Sequence, residues 1–267
     1  MFVESDLLPD LQASPDLRGM AIPRVGVRAL RYPIALRGEH GTIASVAQWA
    51  MYVGLPATVQ GTHMSRFAEL LEAHTHPLDL RAFRAMLLDM CARLGAASGH
   101  LEARFPYFIR KYAPASGLGS LLDYDVTWTA LRAADGTVRQ LLGLEVAITS
   151  LCPCSKAISA YGAHNQRSTI GVEVELAHDV SVETLARTVE AQASCEVYTL
   201  LKRADEKHVT ERAYENPKFV EDLVRDVARA LGALDGVRAF AVRSENFESI
   251  HNHSAYAEIT SPGWRAR

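Results

Sequence analysis

Residues 141–176 read LLGLEVAITSLCPCSKAISAYGAHNQRSTIGVEVEL. Two strand-like segments enclose a loop-forming centre. LLGLEVAITSL (141–151) is a strand by composition. STIGVEVEL (168–176) alternates with a period of two, which predicts Ile170, Val172, Val174 and Leu176 inward and Gly171, Glu173 and Glu175 outward. Between them, Pro153 excludes a helix interior and favours extended or turned backbone at Cys152. Residues two apart in an extended chain project to the same side. Cys152 and Cys154 would then face one cavity, to which His164 returns after a glycine-containing loop. A thiolate with an imidazole is an ordinary beginning for a zinc site.

Working outward, the strand pair belongs to a unit that occurs twice. SVETLARTVEAQAS (181–194) reads as a helix with Ser181 as N-cap. A longer helix is expected over 217–234, with Asn216 as N-cap, Pro217 at the first position and a stripe of Phe219, Val220, Leu223, Val224, Val227 and Leu231. GVRAFAVRSENFESIHNHSAYAEIT (236–260) supplies two last strands. Upstream, VGVRALRYPIAL and IASVAQWAMYVGL are strand-like, and GTHMSRFAELLEAH opens a helix with Ser65 or Thr62 as cap. LDLRAFRAMLLDMCARLGA (78–96) is an amphipathic helix, and FPYFIRKY and LLDYDVTWTALRA are strands that end at the turn-forming Asp135-Gly136. Strand, strand, helix, helix, strand, strand therefore appears twice, at an offset of 117 residues (Val27 to Leu144, 144 − 27). The expected organisation is α+β: an extended arm over 1–21, one unit over 22–136 and a second over 137–267. Sheets with exposed edges invite edge-to-edge closure into a barrel, hence an oligomer.

Composition narrows the function. A length of 267 residues fits one large domain or two small ones and can bury a core without staples. A net charge of −3 argues against a coat for nucleic acid. No apolar run spans a bilayer, and the acidic opening MFVESDLLPDLQ is no secretory signal, so a cytoplasmic protein is expected. Four cysteines are too few and too uneven for a disulfide framework. Cys91 and Cys195 read as buried apolar side chains, and a Cys152–Cys154 disulfide would be strained. The incomplete cysteine set suits a catalytic metal with an open position better than a four-cysteine structural site. No Asp or Glu occurs between Glu145 and Glu173, while Lys156 and Arg167 do, which predicts an electropositive pocket for an anion.

Remote ligands have several sources. Glu206 lies in KRADEKH, expected as a polar connection between helices, where by itself it reads as a solvated charge. ENFESIHNHSAY holds Glu248, His251 and His253, and the two histidines would share a face in a strand. Glu221 stands in the first turn of the 217–234 helix. There it either complements the helix N-terminus or accepts paired N–H donors from a planar heterocycle, and the sequence alone favours the former.

SLCPCSKAISAYGAHNQRS (150–168) resembles the signature of the GTP cyclohydrolase type IB family. GTHMSRF (61–67), RVGVRALRYPI (24–34), NPKFVED (216–222) and IHNHSAYA (250–257) agree in order, so the resemblance covers nearly the whole chain. It implies tandem tunnelling-fold units, each an antiparallel four-stranded sheet with two helices on one face, in a homotetramer with active sites at subunit interfaces. It implies conversion of GTP and water to 7,8-dihydroneopterin triphosphate and formate, with zinc or manganese as cofactor. By the same resemblance Cys152, His164, Glu206 and His251 are metal-site residues, Cys154 and Glu248 act with Cys152 and His164 in catalysis, and Glu221 anchors the purine. Lys156, Arg167 and Arg66 are the basic residues proposed for the triphosphate. Two other readings compete: a tunnelling-fold nitrile reductase of the queuosine pathway, whose Glu-Ser-Lys-Ser-type motif is missing here, and a purine-binding module with structural zinc.

Overall fold

The computed structural model describes residues 9–266. Its first half runs β1 (Ile22–Gly38), β2 (Gly41–Leu55), α1 (Ser65–Ala73), α2 (Leu80–Arg93), β3 (Gly99–Tyr112) and β4 (Gly119–Arg132). The second runs β5 (Val138–Leu151), α3 (Pro153–Ile158), β6 (Asn165–Leu176), α4 (Val182–Glu190), β7 (Cys195–Glu196), α5 (Arg203–Glu215), α6 (Val220–Ala233), β8 (Val237–Asn246) and β9 (Ala255–Thr260). Strand order is β1-β2-β3-β4-β5-β6-β8-β9, every neighbouring pair antiparallel, with the short β7 on β5. The two four-stranded sheets expected from the repeat are thus continuous through β4 and β5, which pair from Asp125–Glu145 to Arg132–Val138. Of the expected N-terminal arm, residues 1–8 lie outside the described residues. The rest is tied to the loop after β2, where Asp16 N donates to Thr58 O and Gln60 N to Ser14 O, both at 3.0 Å.

One face of the sheet is apolar from end to end. Trp49, Leu101, Phe105, Val126, Leu144, Val172 and Val242 form a single buried cluster with residues of the helices. Phe83 of α2 fits between two tryptophans, stacked 6.0 Å from Trp49 and edge-on 5.6 Å from Trp128, and Phe105 meets Trp128 at 5.2 Å. The predicted alternation in β6 holds inward, but its outward residues are not solvated. Glu175 is buried and accepts from Arg139 at 2.7 Å, and Gly171 lies under the Arg243 guanidinium, which a Cβ there would displace.

Several caps differ from expectation. Ser181 caps α4, accepting from Thr184 N at 3.0 Å, as read from the sequence. The α1 cap position is Met64, with no side-chain bond, in place of Ser65 or Thr62. The helix expected from Pro217 begins three residues later, at Val220, because Asn216 ends α5 and its Nδ2 donates to Ala193 O at 2.7 Å. Asp222 then accepts from Phe219 N at 3.0 Å and stands in for the missing Asn cap.

The halves are also joined by buried carboxylates on helices of the second half. Glu183 accepts from Tyr107 Oη of β3 at 2.5 Å, and Glu190 from Tyr124 Oη of β4 and Lys111 Nζ, both at 2.6 Å. Asp205 of α5, fully buried, accepts from Ala115 N, Ser116 N, Ser116 Oγ and Lys202 N, each at 2.8 Å. Burial pushes the Tyr107 and Tyr124 hydroxyls far above the ordinary phenol range, and the adjacent carboxylates add to it. For Asp205 burial acts upward, but the hydrogen bonds from Lys202, Ser116 and Ala115 outweigh it and hold the carboxyl well below its ordinary value.

Two outcomes are expected. Phe83→Ala should lower unfolding stability by about 3–5 kcal/mol in urea titration, since it empties the space between two tryptophans. Because Asp205 is depressed in the folded chain, its contribution is complete above the unfolded value of about 3.9 and fades as pH falls through the folded value. Urea midpoints measured from pH 6 to pH 2.5 should therefore fall less steeply on the acid side for Asp205→Asn than for the wild type, from a lower starting midpoint.

Candidate active site

The residues singled out in the sequence lie mostly where four segments meet. β5 ends at Leu151, whose O accepts from Lys218 N at 3.0 Å and whose N donates to Ser194 Oγ at 3.2 Å. Cys152 N donates to His164 O at 3.1 Å, so the cysteine and histidine are neighbours across the β5–β6 opening. Phe247 N donates to Arg167 O at 3.1 Å, which draws the segment between β8 and β9 to the start of β6. The SLCPC, HNQRS, NPKFVED and NFESIH stretches are thereby brought together by backbone bonds.

Local geometry overturns the shared-face expectation for the cysteines. Cys152 is extended (φ −70°, ψ 117°), but Pro153 occupies the first position of α3, where a missing N–H costs nothing. Cys152 is therefore the N-cap, its Sγ receiving Ser155 N at 3.5 Å, while Cys154 lies on the helix and is exposed. Ser155 locks the turn, donating its hydroxyl to Cys152 O and accepting from His164 N, both at 3.2 Å. Cys91 and Cys195 are buried as expected. Burial pushes the Cys91 thiol up, and burial beside Glu196 pushes Cys195 up to about 11, so both are inert.

His164 heads a buried polar chain that sequence reading did not find. Its Nδ1–H donates to Gln166 Oε1 at 3.0 Å, and Ser249 Oγ lies 3.2 Å from the same nitrogen. Gln166 Nε2 donates to Ser150 Oγ at 2.9 Å, and Ser150 and Ser168 share a bond of 2.8 Å. Gln166 is 8% exposed and both serines are fully buried. An amide oxygen accepts only, so this pairing favours the Nδ1–H tautomer, in which Nε2 carries the lone pair for a ligand. The signal available in sequence was a period of two, Ser150 facing Gln166 in register, which is visible only once β5 and β6 are paired.

The remaining residues divide. Lys156 is turned away from any anion: its Nζ donates to Tyr214 O and lies 4.3 Å from the Tyr214 ring. Arg167 is exposed. Glu221 is exposed in the first turn of α6, three residues past the Lys218 contact to β5. Glu248 and His251 flank Ser249 in the segment between β8 and β9. That segment is loop, not strand, and His251 and His253 stack with ring centroids 5.1 Å apart. Glu206 is not in a connection but in the first turn of α5, exposed. It is eight residues, about 12 Å of helix, from the Tyr214 end that Lys156 reaches. Arg66 is on α1 of the other half, its Nη1 bound to Arg93 O at 2.9 Å.

A divalent metal is met only in part by this arrangement. A half-buried thiol and an imidazole with a free Nε2 are suitable donors. Among the described residues, however, no group of three or more His, Cys, Asp or Glu side chains comes together to hold an ion. Nor is any helix among them long and apolar enough to cross a membrane.

Comparison with known proteins agrees on the family and the fold. Residues 8–257 match the family described as GCHY-1, type I GTP cyclohydrolase folE2. The chain is 58% identical over 253 residues to GTP cyclohydrolase FolE2 2 of Cupriavidus metallidurans, covering 95% of this chain and 94% of that one. It is 58% identical over 254 residues to GTP cyclohydrolase FolE2 of Burkholderia thailandensis, with the same coverage. Among solved structures it is similar to urate oxidase from Bacillus subtilis 168 (TM-score 0.51, 8% identity, 91% of this chain and 98% of that one). A hyperthermostable mutant of Bacillus sp. TB-90 urate oxidase gives a TM-score of 0.52 at 10% identity, over 90% and 98% of the two chains. At such identities the likeness is one of fold: tandem tunnelling-fold units.

Exposure orders the thiols. In the native protein, iodoacetamide followed by peptide mass analysis should label Cys154 first and Cys152 more slowly. Cys91 and Cys195 should react only after denaturation.

Proposed function

The chain belongs to the type I GTP cyclohydrolase FolE2 family, the type IB enzymes. From that premise we propose that it converts GTP and water into 7,8-dihydroneopterin triphosphate and formate, the entry step of tetrahydrofolate synthesis, in the cytoplasm. The observation that carries the reading to particular atoms is the junction of Cys152 with a His164 whose free nitrogen is set by Gln166. Opening the imidazole ring of guanine requires water to add at C8, an unreactive carbon. Bound zinc or manganese would supply the acidity that water needs, bringing its pKa to about 7. On this chain Cys152 and His164 would hold the ion, with Glu206 and His251 completing the set once they are drawn in. Cys154, exposed on α3, and Glu248, half-buried beside Ser249, would serve proton transfer to the opening ring.

Glu221 reads as the purine anchor. A carboxylate exposed in the first turn of a helix can accept two parallel N–H bonds from the guanine edge. Arg66 lies on the half of the sheet remote from Cys152. If both serve one substrate they come from different copies. This, with the unpaired outer edges of β1 and β9, supports sites at subunit interfaces of a homotetramer.

The experiment is turnover of GTP by purified protein across a panel of metals, read as formate and as the fluorescence of the oxidised pterin. Activity should appear with manganese or zinc and vanish on chelation. Cys152→Ala should abolish it, and ordinary turnover by that variant would overturn the assignment. Glu221→Gln should raise KM about tenfold or more, the loss of a charged hydrogen-bond pair. Gln166→Leu should weaken metal binding about 10- to 100-fold, measured by competition with a chromogenic chelator.

A further inference from the structure

A basic cleft on the chain is remote from Cys152 and uses none of the three cations chosen from sequence. It lies on the polar face of the first half, a cavity of about 330 Å3 lined by Arg24, Arg28, Tyr52, His100, Glu102 and Arg104, among others. Its floor is two paired strands: Gln48, Ala50 and Tyr52 of β2 face Arg104, Glu102 and His100 of β3. Its wall is the edge strand β1, which carries two irregularities there. Between Ile22 and Val25, and again between Val27 and Leu30, β1 spends three residues against two of β2. Each extra residue makes a bulge, and each bulge contains an arginine, Arg24 in the first and Arg28 in the second. Bulges re-aim side chains at sheet edges.

The second bulge is strained. Ala29 has φ 59°, the one non-glycine residue with positive φ among the described residues. Such a conformation persists where the surroundings over-determine it, and it gathers at ligand clamps. The charges are unbalanced as well. Glu102 accepts from Arg104 Nε at 2.8 Å and lies 3.8 Å from His100 Nε2, so the cleft's carboxylate is already engaged. Arg24 and Arg28 are exposed and make no hydrogen bond or ion pair with another described side chain. His100, in the floor and 6% exposed, has its Nδ1 buried without a hydrogen-bond partner among the described residues. Among the described residues, a buried ring nitrogen with an unmade hydrogen bond thus lies in one cleft with two guanidinium groups that have no carboxylate partner, and such groups can bind acceptor oxygens.

We propose that this cleft is an oligophosphate-binding site, with Arg24 and Arg28 as its charged contacts and His100 as its inner donor. The anion is either the triphosphate tail of the nucleotide substrate, presented from this half to the Cys152 junction of another copy, or a separate phosphate-bearing effector. The first source rests on the cyclohydrolase reading, whereas the binding itself does not.

The test is calorimetric binding of inorganic triphosphate to the full-length, metal-loaded protein in 150 mM salt. Salt at that level suppresses attraction between distant surface charges. Binding should weaken about tenfold or more in Arg24→Ala and in Arg28→Ala, the size expected of a charge-assisted contact. Arg37→Ala, on the same strand but outside the cleft, should bind as the wild type does. All three arginines are exposed, so folding should survive, and circular dichroism checks it. Absence of binding, or equal binding by all variants, overturns the proposal whatever the enzyme does with GTP. If the cleft takes the substrate's tail, inorganic triphosphate competes with GTP and the two variants raise KM with little change in kcat. If it takes an effector, triphosphate binds with unchanged KM for GTP, and the variants lose only that response.

Discussion

Eight paired positions between β4 and β5 turn two four-stranded sheets into one surface, and the rest of the architecture follows from that seam. Because register continues across it, Trp128 faces Leu142 and Val126 faces Leu144, and the apolar faces of both halves share one core. The helices have a single face on which to bury their stripes. The opposite face gathers charge at its centre, with Arg104, Asp125, Glu145, Glu173 and Arg243 around a cavity of about 430 Å3. Burial raises the Glu145 carboxyl there, Arg243 opposes it, and Asp125 adds to the rise. A sheet so divided has no unpaired edge at its middle, and its outer edges are β1 and β9.

The seam is reinforced by buried acids that sequence reading did not single out. Glu183, Glu190 and Asp205 lie on helical segments whose charges look like an exposed face, yet all three are buried against the first half. A buried carboxylate without donors would be costly, and here each is met by a tyrosine hydroxyl, a lysine or backbone N–H groups. Their partners in the first half lie 66 to 144 residues away along the chain. No local pattern reports such a distance, which is why α5 was taken for a polar connection and Asp205 was passed over.

The candidate site was legible to the extent that its chemistry is local. Cys152 and His164 are separated by one short helix and a loop, and the strands that flank them bring them together as their spacing implied. Cys154 was misplaced because proline has two uses: it stops an extended chain from becoming helix interior, but it also begins a helix well. Lys156 and Arg66 looked available because sequence cannot see a carbonyl waiting within reach, Tyr214 O for one and Arg93 O for the other. Gln166 carried no signal, since its function depends on pairing across β5 and β6.

What residue order alone established is the doubled strand-helix-strand pattern, the burial of Cys91 and Cys195, and the meeting of Cys152 with His164 between β5 and β6. These depend on periodicity and on neighbours within a few turns of chain, which residue order records directly. The tertiary structure decided how the two halves join, which acids are buried, which tautomer His164 holds, and where unopposed positive charge collects. Each of those depends on groups far apart in sequence meeting at hydrogen-bond distance, and that is settled by strand register and burial, not by composition.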